Sequence, residues 1–234
     1  MWPVEAQHFT YPSYEGPLLS AYEGRFECAY AVLHPFVLLP ERDANSDCPD
    51  DDEFLAGCSR YRWDQVASET NLKTYSEINH GLLSGIRALR TEFENAAARD
   101  AIESFLLRRK GQIWPPSEGG FPMLLRGDIT RIFEMANVDE LLFVPEFPEM
   151  DPVSNLKAVD ICTTGGRVRH DRGTLLAPDR SFLFTVDWDS FFTLFYGPFG
   201  LVSRAVEENR IEGFFLGSTT SHGWWRESIP ISKT

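Results

Sequence analysis

The stretch Ser181-Phe182-Leu183-Phe184-Thr185-Val186-Asp187-Trp188-Asp189-Ser190-Phe191-Phe192-Thr193-Leu194-Phe195-Tyr196 decides the fold. Two runs of aromatic, aliphatic and β-branched residues flank Asp187 to Ser190, residues that favour a turn. The arrangement predicts antiparallel strands, with a short helix over Phe191–Tyr196 as the alternative. Upstream, Leu175-Leu176 and a Pro178-Asp179 turn extend the same meander. Downstream, Leu201 to Glu208 reads as a helix and Gly213 to Leu216 as a further strand.

Working further outward, the middle of the chain is helical. Tyr75, Ile78, Leu82, Ile86, Leu89 and Phe93 recur at steps of three and four. At roughly 100° per residue they fall within an arc of about 80°. They predict a helix from Thr74 to Asn95, capped by the hydroxyl of Thr74 or Ser76. Gly81 and Gly85 flank this stripe, where a missing side chain permits close approach by another element. A second helix is expected over Ala98–Lys110, ended by Gly111. A third is expected to start at Asp128 as N-cap and to stop at Asn137. Leu141 to Val144 reads as a buried strand. The runs Phe26 to Leu33 and Phe36 to Leu39, closed by prolines, suit buried extended segments.

Helices early and strands late, without strict alternation, predict an α+β fold: an antiparallel or mixed sheet with helices packed mainly on one face. One domain over 1–234 is expected, with an irregular arm over 1–25, a helix-rich part over 26–145 and a strand-rich part over 146–234. A chain of this length buries roughly 70–75% of its unfolded surface, so it needs neither disulfide nor metal to fold.

The composition narrows function by exclusion. Thirty-five acids against 22 bases give a formal charge of −13. That balance lacks the cationic footprint of nucleic acid binding and suits a basic protein partner. No apolar run reaches the length of a membrane span. The start, Met1-Trp2-Pro3-Val4-Glu5, has no basic and then apolar signal pattern. Cys28, Cys48, Cys58 and Cys162 form no CxxC pair. A cytoplasmic protein with free thiols is expected. No cofactor and no metal is expected, and the oligomeric state is not legible.

Tests for chemistry return little. Asp43, Asn45 and Asp47 open like a calcium loop. Cys48 then stands where glycine is needed, and Phe54 stands where a bidentate glutamate is needed. No zinc spacing connects His8, His34, His80, His170 or His222, and His34 before Pro35 reads as a core or turn histidine. There is no nucleophile elbow, and Gly165-Gly166-Arg167 is too little for a phosphate loop. Asp187 and Asp189 form the most suggestive carboxylate pair, although aspartates in turns commonly cap backbone amides. Ser221-His222-Gly223-Trp224-Trp225 clusters a hydroxyl, an imidazole and two rings. The candidate site is therefore Asp187, Trp188, Asp189, His222, Trp224 and Trp225, with no residue assigned a catalytic role.

Three short stretches carry a family likeness. Leu33-His34-Pro35-Phe36-Val37, Asp160-Ile161-Cys162, and Asp189-Ser190-Phe191 with Thr193-Leu194-Phe195 occur in the order seen in a bacterial family. The chain resembles the domain of unknown function 2711 family over most of its length. The acidic loop and the aromatic tail Ser221 to Trp225 depart from it. The resemblance implies a bacterial, cytoplasmic protein and no assigned activity. The residues favour a non-catalytic interaction protein, immunity- or antitoxin-like. The alternatives are a hydrolase or transferase built on Asp187, Asp189 and His222, and a small-ligand binder that stacks on Trp188, Trp224 and Trp225.

Overall fold

The computed structural model describes residues 8–39, 57–147, 153–163 and 172–232. The acidic loop with Cys48, the Gly165-Gly166-Arg167 turn and His170 lie outside the described residues. The chain divides into two compact units: 1–33 with 119–222, and 34–118 with 223–234.

The first unit is built on seven antiparallel strands: β1 (Cys28–Leu33), β5 (Glu140–Pro145), β6 (Ser154–Lys157), β7 (Gly173–Leu176), β8 (Leu183–Val186), β9 (Phe192–Gly197) and β10 (Gly213–Phe215). Their spatial order is β10-β1-β9-β8-β7-β5-β6. The deciding stretch forms the expected pair, with Phe184 opposite Phe195 and Val186 opposite Thr193. The segment expected as strand or helix over Phe191–Tyr196 is thus strand, over Phe192–Gly197.

Helices α4 (Met123–Met135), α5 (Asp160–Thr163) and α6 (Phe199–Glu208) contribute to the core cluster on the sheet face that carries Tyr30, Phe143, Phe184 and Phe195. Phe184 and Phe195 stack there at 4.2 Å. The opposite face is also dry, since Leu183, Leu194 and Tyr196 are fully buried. Both faces being covered explains why these strands read as continuous apolar runs instead of alternating ones. Part of that second face lies under the N-terminal arm. Tyr196 donates to the Leu18 carbonyl at 2.9 Å, and the Tyr22 ring meets Tyr196 edge-on at 5.3 Å.

The second unit carries a three-stranded sheet of order β3-β2-β4, from β2 (Phe36–Leu38), β3 (Ser59–Tyr61) and β4 (Ile113–Trp114). With it go α1 (Trp63–Thr70), α2 (Tyr75–Gly85) and α3 (Ala96–Arg108). Phe36, Trp63, Tyr75, Phe105 and Trp224 are fully buried rings of this unit. His34 is a core histidine, fully buried, with its ring Nδ1 2.8 Å from the Ser117 carbonyl.

Two helix expectations need correction. The helix from Thr74 ends at Gly85, not Asn95. Thr74 caps it in a reciprocal box with Glu77, but Arg87 takes a left-handed φ of 59° and breaks the run. Asn95 then caps α3 through its side-chain oxygen. The stripe through Leu89 and Phe93 continued the helical period without a continuous helix. Asp128 is no N-cap either. It lies inside α4, buried and paired with Arg131, and the helix starts behind Pro122. Asn137 does take the left-handed conformation, at φ 54°.

Candidate functional site

Strand parity delivers the first site residue. Leu183, Thr185 and Asp187 share the second face of the sheet, so Asp187 continues inward as β8 ends. The turn behind it is tied down. Ser190 donates from its hydroxyl to the Asp187 and Phe192 carbonyls, each at 2.9 Å. Gly119 presses against the same turn. A Cβ there would sit 2.0 Å from the Trp188 carbonyl oxygen, so only glycine fits.

The other side of the site comes from two distant segments paired with each other. Leu18 donates its amide to the Thr220 carbonyl at 2.8 Å, and Pro17 bridges to Ser221. This pairing carries His222 beside the arm. Tyr14 and His222 rings lie 4.3 Å apart, and Tyr11 meets His222 edge-on at 5.7 Å.

The polar atoms form a chain. Tyr11 Oη lies 3.0 Å from His222 Nδ1. His222 Nε2 lies 3.9 Å from Asp187 Oδ2, too long for a hydrogen bond. Tyr14 Oη donates to Asp187 at 2.8 Å. The backbone amides of Trp188 and Asp189 also donate to the Asp187 carboxylate. This is the turn-capping role that aspartates commonly play.

Burial dominates the electrostatics. It raises Asp187 from its ordinary value, against hydrogen bonds from Tyr14 and the backbone that pull it down. It lowers His222 to about 4. The imidazole is therefore neutral at pH 7, and its contact with Asp187 is not an ion pair. Burial first, then the Asp187 charge, raises Tyr11. Burial and the hydrogen bond to Asp187 raise Tyr14. Asp189 and Glu146 are raised by burial and by Asp187, with Arg172 opposing. Among the described residues no cluster of histidine, cysteine or carboxylate side chains is arranged to hold a metal ion.

A pocket of about 610 Å³ opens on the arm. Phe9, Tyr11, Tyr22, Glu23, Arg25 and Arg180 are among its walls. Tyr11 therefore belongs both to this pocket and to the polar chain ending at Asp187.

The sequence-derived site is split. Asp187, Asp189 and His222 gather in the first unit with Trp188, which is 52% exposed. Trp224 and Trp225 belong to the second unit. Trp224 is fully buried, which removes it as a stacking platform. Trp225 lies tilted against His80, with ring centroids 4.6 Å apart, and lines a shallow concavity with Glu92, Phe93, Glu94 and Arg226. Arg226 lies 4.4 Å from the Phe93 ring and 4.6 Å from that of Trp225. Tyr11, Tyr14, Arg25 and Arg180 were missed in the sequence. Only the density of tyrosines in the arm hinted at the first two.

No helix among the described residues is long and apolar enough to cross a membrane. No solved structure matches this chain. The "Uncharacterized protein YwbB" of Bacillus subtilis (strain 168) is 23% identical over 224 residues, covering 91% of this chain and 96% of that protein. The family described as "Protein of unknown function (DUF2711)" matches residues 14–226, from Tyr14 through the aromatic tail, and the chain belongs to it.

Proposed function

We propose that this chain is a non-catalytic binding protein whose ligand enters the pocket beside Tyr11. The observation that carries this reading is the common direction of the protonation equilibria along Tyr11, His222, Asp187 and Tyr14. Each is pushed toward its uncharged form. A nucleophile needs a lowered pKa, and a general base works best with one near the operating pH. A histidine near 4 and two tyrosines raised above their ordinary value supply neither, and the one raised carboxyl of the four, Asp187, is buried under the Tyr14 hydroxyl that donates to it. Donors and acceptors fixed in place by burial and by one another suit recognition instead.

The test is incubation of the purified protein with a panel of esters, phosphoesters, amides and glycosides, read by mass spectrometry. The expected result is no consumption. Turnover that Asp187→Asn abolishes overturns the reading in favour of a carboxylate-dependent enzyme.

A basic protein partner is the second reading, and one observation favours it. In the second unit a guanidinium, that of Arg226, already rests against Phe93 and Trp225 in a concavity that Glu92 and Glu94 also line. The same surface chemistry would accept an arginine from another protein, and the net charge of −13 favours the encounter. An immunity- or antitoxin-like role would use such a surface.

A further inference from the structure

We propose that Asp187 is a positioning residue. Its carboxylate holds the His222 proton on Nε2, so Nδ1 accepts from the Tyr11 hydroxyl, and the Tyr11 oxygen is left able only to accept a further hydrogen bond. This goes beyond the binding reading above and holds with or without a ligand. It fixes the polarity of the site: a group that meets the Tyr11 oxygen must be a donor, such as a hydroxyl, an amide N–H or an ammonium, and not a carboxylate.

A neutral imidazole carries its proton on one ring nitrogen and accepts at the other, and its surroundings choose which. Burial lowers His222 to about 4, so the ring is neutral at pH 7. Its Nε2 lies 3.9 Å from Asp187 Oδ2. The groups that bond that carboxylate are donors: the Tyr14 hydroxyl at 2.8 Å and 3.0 Å, and the amides of Trp188 and Asp189. Donors select the ionised form. At 3.9 Å no hydrogen bond forms, but the charge attracts an N–H dipole and repels a nitrogen lone pair. Asp187 is buried, so water screens little of this. The proton belongs on Nε2.

Tyr11 gives the same answer from the other end. Its hydroxyl lies 3.0 Å from Nδ1. A proton on Nδ1 would make Tyr11 the acceptor, and the hydroxyl proton would then have no acceptor among the described residues. A proton on Nε2 leaves the Nδ1 lone pair to take it, and both groups are satisfied. The order resembles that of a nucleophile, base and carboxylate triad. Burial raises Tyr11 and lowers His222, however, so the hydroxyl proton stays on Tyr11.

The ring does not satisfy these contacts the other way round. A half-turn about Cβ–Cγ would exchange Nδ1 with Cδ2 and Nε2 with Cε1, setting carbon against both Tyr11 and Asp187. The rings of Tyr14, Tyr11 and Phe192 enclose the imidazole at 4.3 Å, 5.7 Å and 6.1 Å. Backbone holds both sides. The bridge of Pro17 to Ser221 sets His222 beside the arm, and the Ser190 hydroxyl ties the turn that carries Asp187. The proton order is therefore built in before any ligand arrives, which spares a ligand the cost of arranging it.

The experiment is long-range nitrogen–proton correlation NMR of the full chain at pH 7 with isotope-labelled histidine, the His222 signals being identified by their loss in His222→Gln. The expected spectrum shows a protonated Nε2 and an unprotonated Nδ1. Tyr11→Phe should keep that pattern and move Nδ1 downfield, because the accepted hydrogen bond is lost. Asp187→Asn should shift the ring toward the Nδ1-protonated pattern, since the amide carries no charge and can turn an N–H toward Nε2. Lost packing alone would not exchange the two nitrogens. Native His222 protonated on Nδ1 overturns the inference. An Nδ1 signal unmoved in Tyr11→Phe overturns Tyr11 as the donor. An unaltered pattern in folded Asp187→Asn overturns the role of Asp187. Should that variant fail to fold, the native and Tyr11→Phe spectra decide.

Discussion

The hydroxyl of Tyr14 lies 2.8 Å and 3.0 Å from the two carboxylate oxygens of Asp187. An aromatic side chain that is 54% exposed thus covers a carboxylate that is 5% exposed. Its single proton offsets part of the burial that raises Asp187. Tyr14→Phe should raise the Asp187 titration further. It should also destabilise the protein at neutral pH by about 1–3 kcal/mol, because the charged acceptor loses a donor. Urea unfolding and carbon NMR of the carboxylates measure both effects. An unchanged Asp187 midpoint would show that the contact does not form in solution.

Two glycines of α2 separate close approach from helix propensity. A Cβ on Gly81 would meet the Ala98 carbonyl oxygen at 2.7 Å, whereas one on Gly85 meets nothing within 4 Å. Gly81→Ala should therefore destabilise the protein by about 1–3 kcal/mol through overpacking. Gly85→Ala should be neutral or stabilise it by up to about 1 kcal/mol through reduced unfolded-state entropy. Thermal and urea unfolding of the two variants give the comparison, and equal effects would remove the α2–α3 contact as the cause.

Acid should weaken the fold through two histidines. Burial lowers His34 and His222 to about 4, with a backbone hydrogen bond to Ser117 opposing at His34. Their folded-state values lie below the unfolded value near 6.5. The unfolded chain therefore binds more protons between pH 6.5 and 4. The stability is fully present above 6.5 and is lost as pH falls through that window, about 2 kcal/mol for each histidine by pH 4.5. Asp187, Asp189 and Glu146 are raised instead and act with the opposite sign, so the observed slope is smaller than the sum. His222→Gln should flatten the loss between pH 6.5 and 4.5 in urea titrations. A slope identical to that of the native chain would mean His222 is not buried neutral.

The concavity of the second unit should prefer guanidinium to ammonium. A hexa-arginine peptide should bind more tightly than hexa-lysine, since the planar group stacks on rings. Arg226→Ala should strengthen peptide binding severalfold by vacating the Phe93 and Trp225 faces, and Trp225→Ala should weaken it. Fluorescence polarisation at low and moderate salt reads these affinities. Equal binding of both peptides, insensitive to Trp225, would dispose of this surface.

Much of the architecture was legible because it is encoded locally. Phe182 to Val186 and Phe192 to Tyr196 each show the composition of a strand, and the turn chemistry of Asp187 to Ser190 sets them antiparallel. The Thr74 and Glu77 box announced the start of α2. Its end was hidden, because Leu89 and Phe93 keep the helical period after Arg87 has left the helical conformation. Asp128 misled for a similar reason: an aspartate before an apolar run resembles a cap, yet here its charge is matched within α4 by Arg131.

What the sequence determined by itself is the α+β class, the strand pair around Asp187, the two acids of that turn and the candidacy of His222. These follow from periodicity and residue chemistry over a few neighbouring positions. Only the tertiary structure decided that Tyr11 and Tyr14 join His222 and Asp187, that Trp224 is core, and that Arg25 and Arg180 share the ring of Phe9. Such groupings depend on pairings like Leu18 with Thr220, across some two hundred residues. Side chains that far apart meet only when buried surface and backbone hydrogen bonds offset the entropy of closing the loop between them, and no local pattern records that balance.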